Sequence, residues 1–141
     1  MQGSEPAGLR TVARLLWLSA AFTGLYWVVF FTSGATQATQ EPCYTVFERA
    51  FPAADAWLAI AALACASSLR RRRPRAVLWG VAAGSAFIYL GLMDTLYNLE
   101  NGMYASIGPE MAAEVLINVT CFLFGPFLMS YVWRHRRWLG A

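Results

Sequence analysis

The chain has 141 residues, of which 58% are apolar and only 13% charged, and its formal net charge is +3. Soluble domains carry about a quarter charged residues, and a chain this short has too little interior to hide its excess apolar surface from water. A water-soluble globular domain is therefore excluded. The positive balance does not point to nucleic acid, because every Lys+Arg position is an arginine and ten of these eleven sit at the edges of apolar segments, where arginine acts as a topology signal.

Four stretches approach the roughly 20 apolar residues that a helix needs to cross about 30 Å of hydrocarbon. Helices are the only sensible spanning structure, because an open sheet cannot satisfy its backbone in lipid. The predicted fold is all-α, a bundle of four transmembrane helices over residues 15–32, 51–69, 76–98 and 111–133, forming a single membrane domain.

Arg10 and Arg14 precede the first span. Two basic residues, an apolar run and then the small residues Ala35 and Ala38 also fit a cleaved signal peptide. The run is long and rich in aromatics for that role, so a retained helix is the preferred reading. The first outer loop, residues 33–50, is polar until CYTVFERAF, and it holds Cys43, Glu41, Glu48 and Arg49. Glu41 and Glu48 read as solvated loop charges. Arg49 is placed to pair with Glu48 or with an acid at the end of a span.

Pro52 suits the first turn of the second helix, where Asp55 gains from the helix dipole. Asp55 lies about one turn inside its apolar segment, with Trp57 close by in sequence. Arg70, Arg71, Arg72, Arg73 and Arg75 fill the tight turn at residues 70–75. This run reads as a topological anchor, with phospholipid binding a secondary role. In the third span, Gly80 and Gly84 permit close helix approach, read as packing inside the bundle. Asp94 and Asn98 are spaced i, i+4 and share one helix side. Asp94 lies toward the C-terminal end of its helix, where the dipole disfavours an anion, so it is the acid least explained by local structure.

The second outer loop, residues 99–110, contains Asn101-Gly102 and Gly108-Pro109, both turn signals. Pro109 followed by Glu110 reads as a helix start. In the fourth span, Glu114 and Asn118 repeat the i, i+4 pairing, and Cys121 and Gly125 continue the same stripe. Gly125-Pro126 predicts a kink or a broken ladder. Asn118-Val119-Thr120 matches a glycosylation sequon but lies within a span, so it is set aside. His135 among Arg134, Arg136 and Arg137 reads as a solvated anchor. Ser67-Ser68 has no base within reach by sequence. The three cysteines show no metal spacing and no disulfide framework, and no motif implies a metal or a cofactor. Cys65 and Cys121 read as small hydrophobes. Trp17, Trp79 and Trp133 suit an interfacial belt at the arginine-rich side.

With ten arginines on one side and Arg49 alone on the other, the positive-inside rule places both termini in the cytoplasm. The preference for arginine over lysine and the many alanines fit a GC-rich bacterial source, hence a multi-pass protein of the plasma membrane. Seven of the eight acids fall on the outer side. Asp55, Asp94 and Glu114 lie inside apolar segments at a similar depth, where each charge costs up to about 3 kcal/mol. Such acids face a bundle interior or a wet cavity.

The expectation is an outward-opening acidic pocket built from Asp55, Trp57, Asp94, Asn98, Glu114 and Asn118, binding a small lipophilic ligand that is cationic or hydroxylated. A second reading is an accessory subunit whose acids meet basic residues of a membrane-protein partner. A third is an isomerase- or cyclase-type enzyme with Asp94 as acid and Glu114 as base. Four spans with acids in their outer halves resemble the sterol-isomerase-like four-helix membrane proteins in that outline alone, and no residue is carried over from them.

Overall fold

The computed structural model describes residues 5–34, 42–105 and 108–141, without the side chain of Glu110. Ala35, Ala38 and Glu41 lie outside the described residues. The described chain is helical, in the order α1 (Leu9–Thr32), α2 (Pro42–Glu48), α3 (Pro52–Arg70), α4 (Arg75–Glu100), a 3-10 turn (Met103–Ala105) and α5 (Pro109–Arg134). Four of these, counting α2 and α3 as one segment, are long and apolar enough to cross a membrane. Their outer faces are strongly apolar, with Leu18, Phe22, Leu78, Leu116 and Leu123 exposed. Contiguous surface of this kind is unsuited to water and compatible with a multi-pass membrane protein.

Helix α1 begins nearly two turns before the apolar run. Leu9, Val12, Ala13 and Leu16 recur at helical spacing and are buried, while Arg10 and Arg14 point outward. The helical period therefore continues through the basic residues. Pro52 and Pro109 open α3 and α5 as first-turn prolines. Helix α5 runs unbroken through Pro126, so the proline removes a donor without ending the helix.

The turn between α3 and α4 ends α3 with paired backbone bonds. Arg73 N–H donates to Ser68 O at 2.9 Å and Arg72 N–H to Leu69 O at 3.1 Å. This is the Schellman pattern, which needs a left-handed residue after the cap. Arg72 takes that place with φ 50°, at a cost of about 1–2 kcal/mol for a side chain other than glycine. Its guanidinium sits 4.3 Å from the Trp138 ring centroid and its Nε donates to Trp138 O at 3.1 Å, an offset of about 0.5–1 kcal/mol. Arg72→Ala keeps the backbone strain and loses the contact, whereas Arg72→Gly loses both. Arg72→Ala should therefore melt below Arg72→Gly by about 1 kcal/mol when the two are compared by thermal unfolding in detergent.

Close packing runs α1 on α3, α3 on α4 and α4 on α5. The α4–α5 seam is made by glycines. A Cβ at Gly80 would meet Val132 at 2.6 Å, and one at Gly84 would meet Met129 Cγ at 2.5 Å and Gly125 O at 2.7 Å. Gly80 and Gly84 are thus used inside the chain. Around them Ala61, Ala62, Cys65, Ala66, Ala76 and Ala83 are fully buried, which draws the arginine-rich ends together. The circuit closes there, where the Tyr131 hydroxyl donates to Ala7 O at 3.2 Å. Toward the other end α1 and α5 are not a closely packed pair. Helix α1 buries residues at its two ends, Leu9 to Leu16 and Phe30, and none between.

Candidate functional site

The gap between α1 and α5 is a cavity of about 420 Å³. Leu15, Leu18, Phe22, Leu116 and Phe124 supply apolar walls, and among the described residues four carboxylates line it as well: Glu48, Asp55, Asp94 and Glu114. No described lining residue is basic. The carboxylates come from α2, α3, α4 and α5, and they lie within electrostatic range of one another.

Each acid has its own surroundings. Glu114 is held on both oxygens, by the Tyr44 hydroxyl donating to Oε1 at 2.7 Å and by Asn98 Nδ2 donating to Oε2 at 3.0 Å. All three residues are buried. Asp55, in the first turn of α3, accepts the Trp27 indole N–H at 2.7 Å. The Asp94 carboxylate lies beside the Asn118 amide. Asn118 is only 5% exposed and lines the cavity, and among the described residues its Nδ2 forms no hydrogen bond of full geometry, the Asp94 carboxylate being the acceptor beside it.

Of the six residues singled out from sequence, Asp55, Asp94, Glu114 and Asn118 line this one cavity. The other two do not. Asn98 stands behind the wall, fully buried, and orients Glu114. Trp57 is half-exposed on the far side of α3, its ring 6.1 Å from that of Trp79, because two residues along a helix turn the side chain well away from Asp55. The stripe Glu114, Asn118, Cys121 is continuous along one face of α5, and all three are buried and line the cavity.

The solvated-loop reading of Glu48 is corrected. Glu48 is buried at the end of α2. Arg49 is exposed and pairs with no acid among the described residues, where the one ion pair is Arg10–Glu5 at 3.2 Å. Tyr44 and Glu48 are spaced i, i+4 within CYTVFERAF and so share one face of a short helix. That spacing was the available signal. Its meaning depended on where α2 docks, and Phe47 settles this by stacking on Tyr97 of α4 at 3.9 Å and meeting Phe51 at 4.8 Å. Helix α2 thereby lies against α4 and, through Tyr44 and Glu114, against α5 at the acidic end. Along the flank, Leu18 and Leu116 both line the cavity and stand about two-thirds exposed.

Chemically, the site presents carboxylates together with the Asn118 amide and the hydroxyls of Ser19, Thr23, Tyr26 and Thr120 in a largely apolar volume. Glu114, engaged on both oxygens, is poorly placed to act as a free base, while Asp94 has no comparable clamp. Among the described residues no group of three His, Cys, Asp or Glu side chains is arranged to hold a metal ion. Comparison with known protein families, with curated proteins and with solved structures finds no match to this chain.

Proposed function

We propose that the chain is a binding protein of the bacterial plasma membrane, its termini and arginine turn cytoplasmic, holding a small lipophilic ligand with a cationic or hydroxylated head in the α1–α5 cavity. The observation that carries this is four carboxylates around one cavity with no basic side chain among the described residues of its lining. Like charges in a low-dielectric interior repel strongly, and buried charge calls for a partner. A ligand that donates hydrogen bonds or carries positive charge supplies one. The burial of Glu48 and Glu114 within the chain also favours an internal ligand over acids held for a neighbouring subunit.

Native mass spectrometry of the detergent-purified protein tests the reading. Wild type should carry a reproducible adduct that Asp94→Asn removes. An adduct equally present in Asp94→Asn and in the Asp55→Asn, Asp94→Asn double variant would sink it, as would an empty wild type.

The orientation has a test built into the sequence. Cys43 is exposed at the acidic end, whereas Cys65 and Cys121 are buried. A membrane-impermeant maleimide should label wild type in intact cells and leave Cys43→Ser unlabelled. Labelling of wild type only after lysis would invert the topology.

A further inference from the structure

The ligand can be specified more narrowly, resting on the binding-site reading above. We infer that the occupant is a single-chain amphiphile whose head carries an ammonium group beside a neutral hydrogen-bond acceptor, and that it reaches the cavity sideways from the bilayer between α1 and α5.

Three observations converge on this. First, the acid cluster calls for a cation, and no metal-holding arrangement exists among the described residues, which leaves an organic ammonium. Second, Asn118 Nδ2 is a buried donor that faces the cavity beside Asp94 and forms no hydrogen bond of full geometry among the described residues. Buried donors are almost always satisfied, so the ligand should bring an acceptor to this point. The acceptor is neutral, a hydroxyl or carbonyl oxygen, because the acidic lining holds no described base to pair with a phosphate or a second carboxylate. Since Asp94 and Asn118 are neighbours, amine and acceptor lie close together on the head, as in a 1,2-amino alcohol.

Third, the opening lies on the flank. Leu18 and Phe22 of α1 and Leu116 of α5 line the cavity and remain 65%, 55% and 67% exposed. Both helices are candidate membrane spans, so these mouth residues sit at hydrocarbon depth. At the acidic end α2 lies against α4 and α5, with Tyr44 bonded to Glu114. A chain attached to the bound head therefore leaves between α1 and α5 into lipid. A volume of about 420 Å³ lies low in the range of roughly 300–1,000 Å³ for ligand pockets, which suits one chain rather than two.

Four compounds, each added to detergent-purified protein and followed by native mass spectrometry, test the head chemistry: 2-aminooctadecane-1,3-diol, octadecylamine, octadecanoic acid and ethanolamine. The amino diol should bind about fivefold more tightly than octadecylamine, and the fatty acid and ethanolamine should not bind. Asp94→Asn should weaken both amines at least tenfold. Asn118→Leu and Asn118→Ala should keep octadecylamine and lose the preference for the amino diol. Binding of octadecanoic acid comparable to octadecylamine, or a preference that survives both Asn118 variants, overturns the inference. The route is tested by loading from vesicles that contain the amino diol. Leu18→Trp with Leu116→Trp, both at exposed positions, should slow loading from the vesicles at least tenfold, and an unchanged rate overturns lateral access. The two levels of the reading separate cleanly: an Asp94-dependent adduct that neither amine displaces leaves the binding site standing and removes only this inference, while the absence of any Asp94-dependent adduct removes both.

Discussion

Replacing Glu114 with Ala should destabilise the detergent-solubilised protein far more than replacing Asp94 with Ala. Glu114 accepts from Tyr44 at 2.7 Å and from Asn98 at 3.0 Å, and all three residues are buried. Truncation strands both donors, and each unsatisfied buried group costs about 1–3 kcal/mol. Asn98 Oδ1 already has no partner, so it cannot compensate by reorienting to a better network. The combined loss of about 2–6 kcal/mol is a large share of the 5–15 kcal/mol typical of folded proteins. It should also release α2, which Tyr44 anchors to α5. Glu114→Gln keeps a carbonyl acceptor and should fall between the two. The check is the fraction of monodisperse protein surviving a heating series on gel filtration. Equal midpoints for Glu114→Ala and Asp94→Ala would show that the Tyr44–Glu114–Asn98 arrangement carries no stability. The contrast also separates two kinds of buried acid, one that holds the fold and one left free for a ligand.

Gly125→Ala should also be damaging, although it adds a single methyl group. A Cβ there would lie 2.7 Å from Gly84 O and 2.8 Å from Ile88 Cγ1, and a Cβ on Gly84 would meet Gly125 O at the same 2.7 Å. The obstacle is backbone, which cannot rotate out of the way. The helices must separate, and overpacking of this kind costs about 1–3 kcal/mol and sometimes more. Separation along this seam also moves Asp94 and Gly91 on α4 relative to Asn118 and Cys121 on α5, so ligand occupancy should fall together with stability. Gly24→Ala is the control. Gly24 is exposed, and a Cβ there meets nothing within 4 Å, so the substitution should raise stability by up to about 1 kcal/mol through helix propensity. Thermal midpoints of the two variants in one detergent decide the matter. Similar midpoints for Gly125→Ala and wild type would mean that the α4–α5 contact is looser than a glycine seam.

The four long apolar helices were legible because hydrocarbon imposes a length and an apolar composition that few sequences meet by accident. The helices run over Leu9–Thr32, Pro52–Arg70, Arg75–Glu100 and Pro109–Arg134, within a residue or two of the sequence boundaries except at the start of α1, where a buried face continues beneath two exposed arginines. Helical spacing along α5 likewise brought Glu114, Asn118 and Cys121 onto one face, since a 3.6-residue period is a local property. Local period says nothing about which helix a face meets. That Asn98 serves Glu114, that Trp57 turns away from Asp55, and that α2 folds back to bury Tyr44 and Glu48 all follow from contacts between residues far apart in sequence. The sequence by itself determined an all-helical membrane chain with acids gathered at one end. Only the tertiary structure decided that the glycine seam closes α4 on α5 and leaves α1 apart from α5, because close approach depends on the small residues two particular helices turn toward each other.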